Sequence, residues 1–205
     1  PVSIELAKLL VNPPTKMQVE GSLKFIEETV KSEIDTSYLL ESGKTGTHYL
    51  WEGSKLEQVW TRQNGKRTRI ELNPTDHDLA LFEKFSKYHV KNLRPLRMFQ
   101  NSRINSKKDM GWKDIFTGRA LRNLELLREA ILKIEKKQIR HTLLMGLNAS
   151  VGQMSKMVFA IEKRGSKKDK KSSMRTEVGS WVIGFWRPKK HFEINVWNCF
   201  ENKMR

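Results

Sequence analysis

The chain has 205 residues and a net charge of +16, and its six Trp, nine Phe and three Tyr exclude a disordered polyelectrolyte. One cysteine excludes an internal disulfide, and no apolar segment reaches the about 18 residues of a membrane-spanning helix. The charge is unevenly spread, at −3 over residues 1–60 and +19 over residues 61–205, so the excess calls for an anionic partner.

The predicted elements begin with a short helix, Ser3 to Val11, stopped by Asn12-Pro13-Pro14. A second helix runs from Lys16 to Ile34 with Val19, Leu23, Phe25, Ile26 and Val30 as its apolar stripe. Residues 1–40 thus form an acidic helical segment, offering a surface for self-association, ahead of a basic α+β domain at 41–205; the two are expected to make one globular unit. Residues 56–62 and 67–72 alternate in character around Gln63-Asn64-Gly65-Lys66, the pattern of a β-hairpin with a type I′ turn. Its tip and one strand carry Arg62, Lys66, Arg67 and Arg69.

Asn73-Pro74-Thr75-Asp76 is a turn and helix N-cap, and the helix after it is predicted to reach Asn92. Leu79, Phe82, Phe85 and His89 form its apolar face, and Lys84, Lys87 and Lys91 a basic edge. Residues 94–109 read as a polar loop with Arg94, Arg97, Arg103, Lys107 and Lys108. From Asp114 to about Ile139, Ala120, Leu124, Leu127, Ile131 and Ile134 repeat at helical spacing, predicting a central, buried helix. Four strands are then expected: Thr142–Leu147, Lys156–Glu162, Ser180–Trp186 and His191–Asn198, with a basic loop at 164–171. The fold class is α+β: N-terminal helices, a β-hairpin, two further helices and a C-terminal antiparallel sheet.

The chemistry the sequence offers is cationic and aromatic. Lys167, Lys168, Lys170, Lys171, Arg175, Arg187, Lys189 and Lys190 are expected at one end of the sheet, and with the hairpin and the 84/87/91 edge they would make one phosphate-tracking surface. Trp186 stands directly before Arg187-Pro188-Lys189-Lys190 at a predicted strand end, so a base could stack on the ring while a neighbouring cation holds the phosphate. Separate solvated charge runs, or a nuclear-import signal at 163–171, are the competing readings.

Other motifs fail on spacing. Gly43-Lys44-Thr45 lacks the P-loop glycine, because Tyr38 occupies its place. The five histidines show no paired ligand spacing, so no metal or other cofactor is expected. His141-Thr142-Leu143 has no second H-x-T copy, and Glu135-Lys136-Lys137 lies on a helix where a nuclease would need it on a strand. No catalytic residue is assigned. Cys199 lies among Trp197 and Phe200 and reads as a buried small hydrophobe in a reducing compartment. Pro1 in place of an initiator methionine points to a processed or excised chain, and the absence of a leader to an intracellular one, nuclear or cytoplasmic. The expectation is a protein binding nucleic acid, RNA or single strands favoured, as a ribonucleoprotein or genome-packaging component. A matrix-like protein binding anionic lipids and a nucleic-acid-processing enzyme are the alternatives.

Overall fold

Val19, Leu23, Ile26 and Val30 are all buried on helix α1, Lys16–Glu33, as their spacing requires. Phe25 is the exception in the predicted stripe: it lies about a third of a turn off that row and is exposed. The computed structural model describes residues 13–33, 48–62, 69–163, 175–181 and 184–205. The predicted helix at 3–11, the hairpin tip at 63–68 and the loop at 164–171 lie outside them. Among the described residues there are six α-helices and one six-stranded antiparallel sheet, an α+β fold, and no helix is long and apolar enough to cross a membrane.

The sheet begins with β1 (His48–Glu52), which the sequence did not suggest, turning through Gly53-Ser54 into β2 (Lys55–Arg62). Gly53 has φ +60, a conformation that favours glycine. The predicted hairpin is formed by β2 and β3 (Arg69–Leu72), with Arg62 opposite Arg69. The remaining strands are β4 (Val158–Lys163), β5 (Arg175–Trp181) and β6 (Lys190–Ile194), in the order β3-β2-β1-β6-β4-β5. The last strand therefore inserts between β1 and β4.

Cross-strand pairing assigns the two faces. Tyr49, Trp51, Val59, Leu56, His191 and Glu193 share one face, because Tyr49 pairs with Val59 and Glu193, and Trp51 with Leu56 and His191. A bulge in the β1–β2 ladder lets Leu56 and Val59, three residues apart, point the same way. Leu50, Trp60 and Phe192 pack together on the other face, with Trp60 and Phe192 ring centroids 4.3 Å apart.

Helix α2 (Asp76–Ser86) lies on the first face, with Phe82 4.6 Å from Trp51 between ring centroids and the Tyr49 hydroxyl donating to Asp78. Thr75 and Asp78 cap it reciprocally, as the Pro-Thr-Asp turn predicts. This helix stops at Ser86, six residues short of expectation, and the amides at the end of the expected extension have another acceptor. The Glu125 carboxylate takes the N–H groups of Lys91, Asn92 and Leu93 at 2.8, 2.6 and 3.2 Å and the Tyr88 hydroxyl as well. Lys84, Lys87 and Lys91 consequently do not form one helical edge: Lys87 is the C-cap and Lys91 lies beyond the helix.

Glu125 sits on the central helix, α4 (Gly118–Leu132), which follows the single-turn α3 (Trp112–Ile115). The predicted long helix breaks after Leu132, and α5 (Lys137–Ser150) replaces the expected strand 142–147. Arg140 donates to the Ile134 carbonyl at 2.8 Å and so holds the link between α4 and α5. Ile139, Leu143, Leu147 and Ser150 are buried at helical spacing while Met145 is exposed, so the run Leu143–Leu147 belongs to a helix face. The predicted strand at 191–198 likewise ends at Ile194. Asn195 caps α6 (Val196–Met204) by accepting from the Asn198 N–H, and Val196, Trp197, Cys199 and Phe200 are buried along it. Residues of α1, α4, α5 and α6 share the main core.

Candidate functional site

Strand directions decide which basic residues can share a surface. β4 runs antiparallel to β6 with Phe159 opposite His191, so Lys163 and its partner Arg175 lie beyond the Lys190 end of β6. Arg62 and Arg69 lie at the other end, beyond the His48–Ile194 pair. At about 3.3 Å per residue and 4.8 Å per strand, the two basic hairpin ends are roughly 30 Å apart. Of the surface expected to join 62–69 to 163–190, the described residues Arg62 and Arg69 thus lie at the opposite end of the sheet from Lys163, Arg175 and Lys190.

The Lys190 end is the richer one. Tyr49 meets Asp78 and Trp51 meets Phe82, so α2 runs alongside β1 and brings Lys84 and Lys87 toward Glu52. Lys189 joins there by its ion pair with Glu52 at 2.8 Å, and that contact holds the Glu52 carboxyl below its ordinary pKa. Lys190 is the register partner of Glu52. Arg187 binds Asp114 at 2.9 Å, and Asp114 in turn accepts the Gly111 amide at 2.9 Å. Lys66, Arg67, Lys167, Lys168, Lys170 and Lys171 lie outside the described residues, and Arg62, Arg69 and Arg175 are placed by backbone alone.

Next to Arg187 is a groove of about 390 Å³, lined by Trp186, Phe185, Arg187, Ser102, Asn105 and Lys107 among others. Trp186 is 43% exposed, as its position before the basic run suggested, but it belongs to the irregular segment after β5 and not to a strand end. Its inner edge is braced by Phe159, 6.0 Å away between ring centroids. Trp197, by contrast, is buried on α6.

The opposite wall is a tight loop. Asn101 and Ser106 exchange two backbone hydrogen bonds of 3.0 Å, Asn101 Oδ1 accepts from the Arg103 N–H, and Asn105 takes a left-handed conformation at φ 52. Gly184, at φ 88, lets this loop approach: a Cβ there would stand 3.0 Å from Ile104 Cα. The loop is therefore pinned against the segment that carries Trp186 and Arg187. Sequence reasoning placed Arg103 and Lys107 in a loop but did not bring them to Trp186. The signal was the turn-forming Asn-Ser-Arg-Ile-Asn-Ser stretch, residues 101–106.

Together these elements supply cations, amide and hydroxyl groups, and a half-exposed indole along one rim, which is what a flexible polyanion with aromatic bases requires. The chain matches no family model, and no curated protein or solved structure matches it.

Proposed function

We propose that this protein binds nucleic acid, RNA or single strands in preference to duplex, by gripping phosphates at the Lys190 end of the sheet while a base stacks on Trp186. The observation that carries this reading is the groove that Trp186 lines together with Arg187 and Lys107. A large phosphate share in the binding makes it only weakly sequence-specific, as suits a ribonucleoprotein or packaging role.

Fluorescence anisotropy with labelled single- and double-stranded RNA and DNA across salt concentrations tests the proposal. The affinity is expected to fall steeply with salt, with a slope of about −0.7 per phosphate contacted on a single strand. Trp186→Ala is expected to weaken single-strand binding by about 1–3 kcal/mol and to affect duplex binding less. Indifference to every polynucleotide at low salt, with pelleting on anionic liposomes instead, reverses the reading.

A further inference from the structure

At the same end of the sheet, on the face covered by α2, is a second pocket of about 250 Å³ that the groove at Trp186 does not include. Its aromatic lining comes from Trp51, Phe82 and Phe116, and its polar lining includes Lys113, Lys156 and His191. Thr117 and Gly118, the start of the fifteen-residue helix α4, also line it. The positive end of that helix dipole therefore lies at the pocket.

Charge around the pocket is unbalanced. Glu193 is gripped by Arg119 at 3.0 and 3.1 Å, and Asp114 is paired with Arg187. The ammonium groups of Lys113 and Lys156 are left in excess. Lys156 donates to the Lys113 carbonyl at 2.7 Å, and burial, opposed by Glu193 and Asp114, pushes its pKa down. Lys113 Nζ stands 3.4 Å from His89 Nε2.

The second observation is His191. Its side chain is buried, at 5% exposure, it lines the pocket, and no described group stands in hydrogen-bonding geometry to its Nδ1. Burial first, then Lys156, push its pKa down to about 4, against Glu193 and the Pro188 carbonyl. The ring is therefore neutral near pH 7, with one N–H to donate and one nitrogen to accept. His191 thus sets a neutral polar ring near the Lys156 ammonium, in a pocket that a helix start also lines, a combination that fits a bound anion.

The geometry points to a nucleotide site: the phosphoryl group held by Lys113, Lys156, His191 and the start of α4, and the base against Trp51, Phe82 and Phe116. The nucleotide is either free or the exposed residue of a strand. This site stands independently of strand binding at Trp186, because a mononucleotide needs none of the groove residues.

The test follows the His191 ring signals of the full chain by proton–carbon correlation NMR, assigned by their loss in His191→Asn. Inorganic phosphate, adenosine monophosphate and a single-stranded oligonucleotide are titrated separately. The monophosphate is expected to shift the signals at concentrations at least about tenfold below those phosphate needs, and Lys156→Met to weaken that binding about tenfold. Lys113→Met, at an exposed position, provides the same test if Lys156→Met does not fold. Response to the monophosphate identifies a free nucleotide, and response to the oligonucleotide alone identifies a strand residue. Signals unmoved by all three probes, equal potency of phosphate and monophosphate, or a response that Lys113→Met leaves unchanged overturns the site. Oligonucleotide binding seen by anisotropy without movement of His191 overturns the pocket and leaves the groove reading intact.

Discussion

Arg119 of α4 and Glu193 of β6 form a buried two-pronged ion pair, with Nε and Nη2 3.0 and 3.1 Å from the two carboxylate oxygens. Trp51 Nε1 donates to the same carboxylate at 3.1 Å, and the guanidinium carbon lies 3.9 Å from the Tyr49 ring centroid. The pair thus ties the central helix to the middle of the sheet. Arg119→Met leaves Glu193 buried and uncompensated and is expected to cost about 3–5 kcal/mol in urea unfolding. Arg119→Met combined with Glu193→Gln is expected to cost less than Arg119→Met alone. A double variant less stable than that single variant refutes the pair's role as mutual compensation.

Glu125 performs a different task, collecting the amides of residues 91–93 beyond the end of α2. Burial works to raise its pKa, but the hydrogen bonds from Tyr88, Asn92, Lys91 and Leu93 outweigh burial and hold it below its ordinary value. A carboxyl lowered on folding stabilises the protein above its unfolded pKa, and that contribution disappears as pH falls through the folded value. Glu125→Gln is therefore expected to cost roughly 2–3 kcal/mol at pH 7 and to flatten the loss of stability below about pH 4.5. Urea midpoints of the two proteins between pH 3 and 7 provide the measurement. Parallel curves for the two refute the assignment.

The same carboxylate shows where sequence reading stops. Local patterns were legible: the stripe of α1, the Thr75 cap, the alternation of β2 and β3, and the buried repeat of α4 all rest on neighbours within a few residues. The end of α2 was not, because its helical pattern continues to His89 and the competing acceptor is 34 residues away from Lys91. The run at 143–147 was misread because five apolar-rich residues suit a strand or a helix equally, and only burial of Leu143 and Leu147 without Met145 decides. For the candidate site, sequence identified Trp186 and its basic neighbours. Which charges share an end of the sheet depends on β6 inserting between β1 and β4, a long-range fact no local pattern carries.

Gly118 fixes the crossing of α2 and α4. A Cβ on it would lie 1.7 Å from the Phe85 carbonyl oxygen, a backbone atom that cannot rotate away. Gly118→Ala is expected to lower stability by about 1–3 kcal/mol or more despite alanine's better helix propensity, which at an unstrained site would favour it. Thermal unfolding checks the sign, and an unchanged or raised Tm shows that the helices can separate at little cost.

Cys199 is buried on α6, and burial pushes its thiol pKa up to about 12. At pH 8 almost no thiolate is present, and the thiolate is the reactive form. The folded protein is expected to resist a thiol-specific disulfide reagent for far longer than the urea-unfolded chain, which reacts at the rate of a free cysteine. Fast modification of the folded protein at low urea shows that α6 opens locally.

The separation of the two basic ends makes the nucleic-acid reading testable by length. A short oligonucleotide seated at Trp186 can meet Lys107 and Arg187, with Lys190 at the same end of the sheet, but not Arg62 or Arg69, which lie beyond the opposite, His48–Ile194 end. Lys107→Glu with Lys190→Glu is therefore expected to weaken a short single strand strongly, while Arg62→Glu with Arg69→Glu leaves it nearly unchanged. A strand long enough to reach both ends should respond to either pair and show a steeper salt slope, since each added phosphate contact releases further counterions. Replacing Lys167, Lys168, Lys170 and Lys171 by Glu is expected to weaken binding uniformly across sequences with little change in Tm; a collapse in stability would show that this segment supports the fold. Equal sensitivity of the short strand to both pairs of reversals means that the net field of the molecule, and not a site at Trp186, holds the strand.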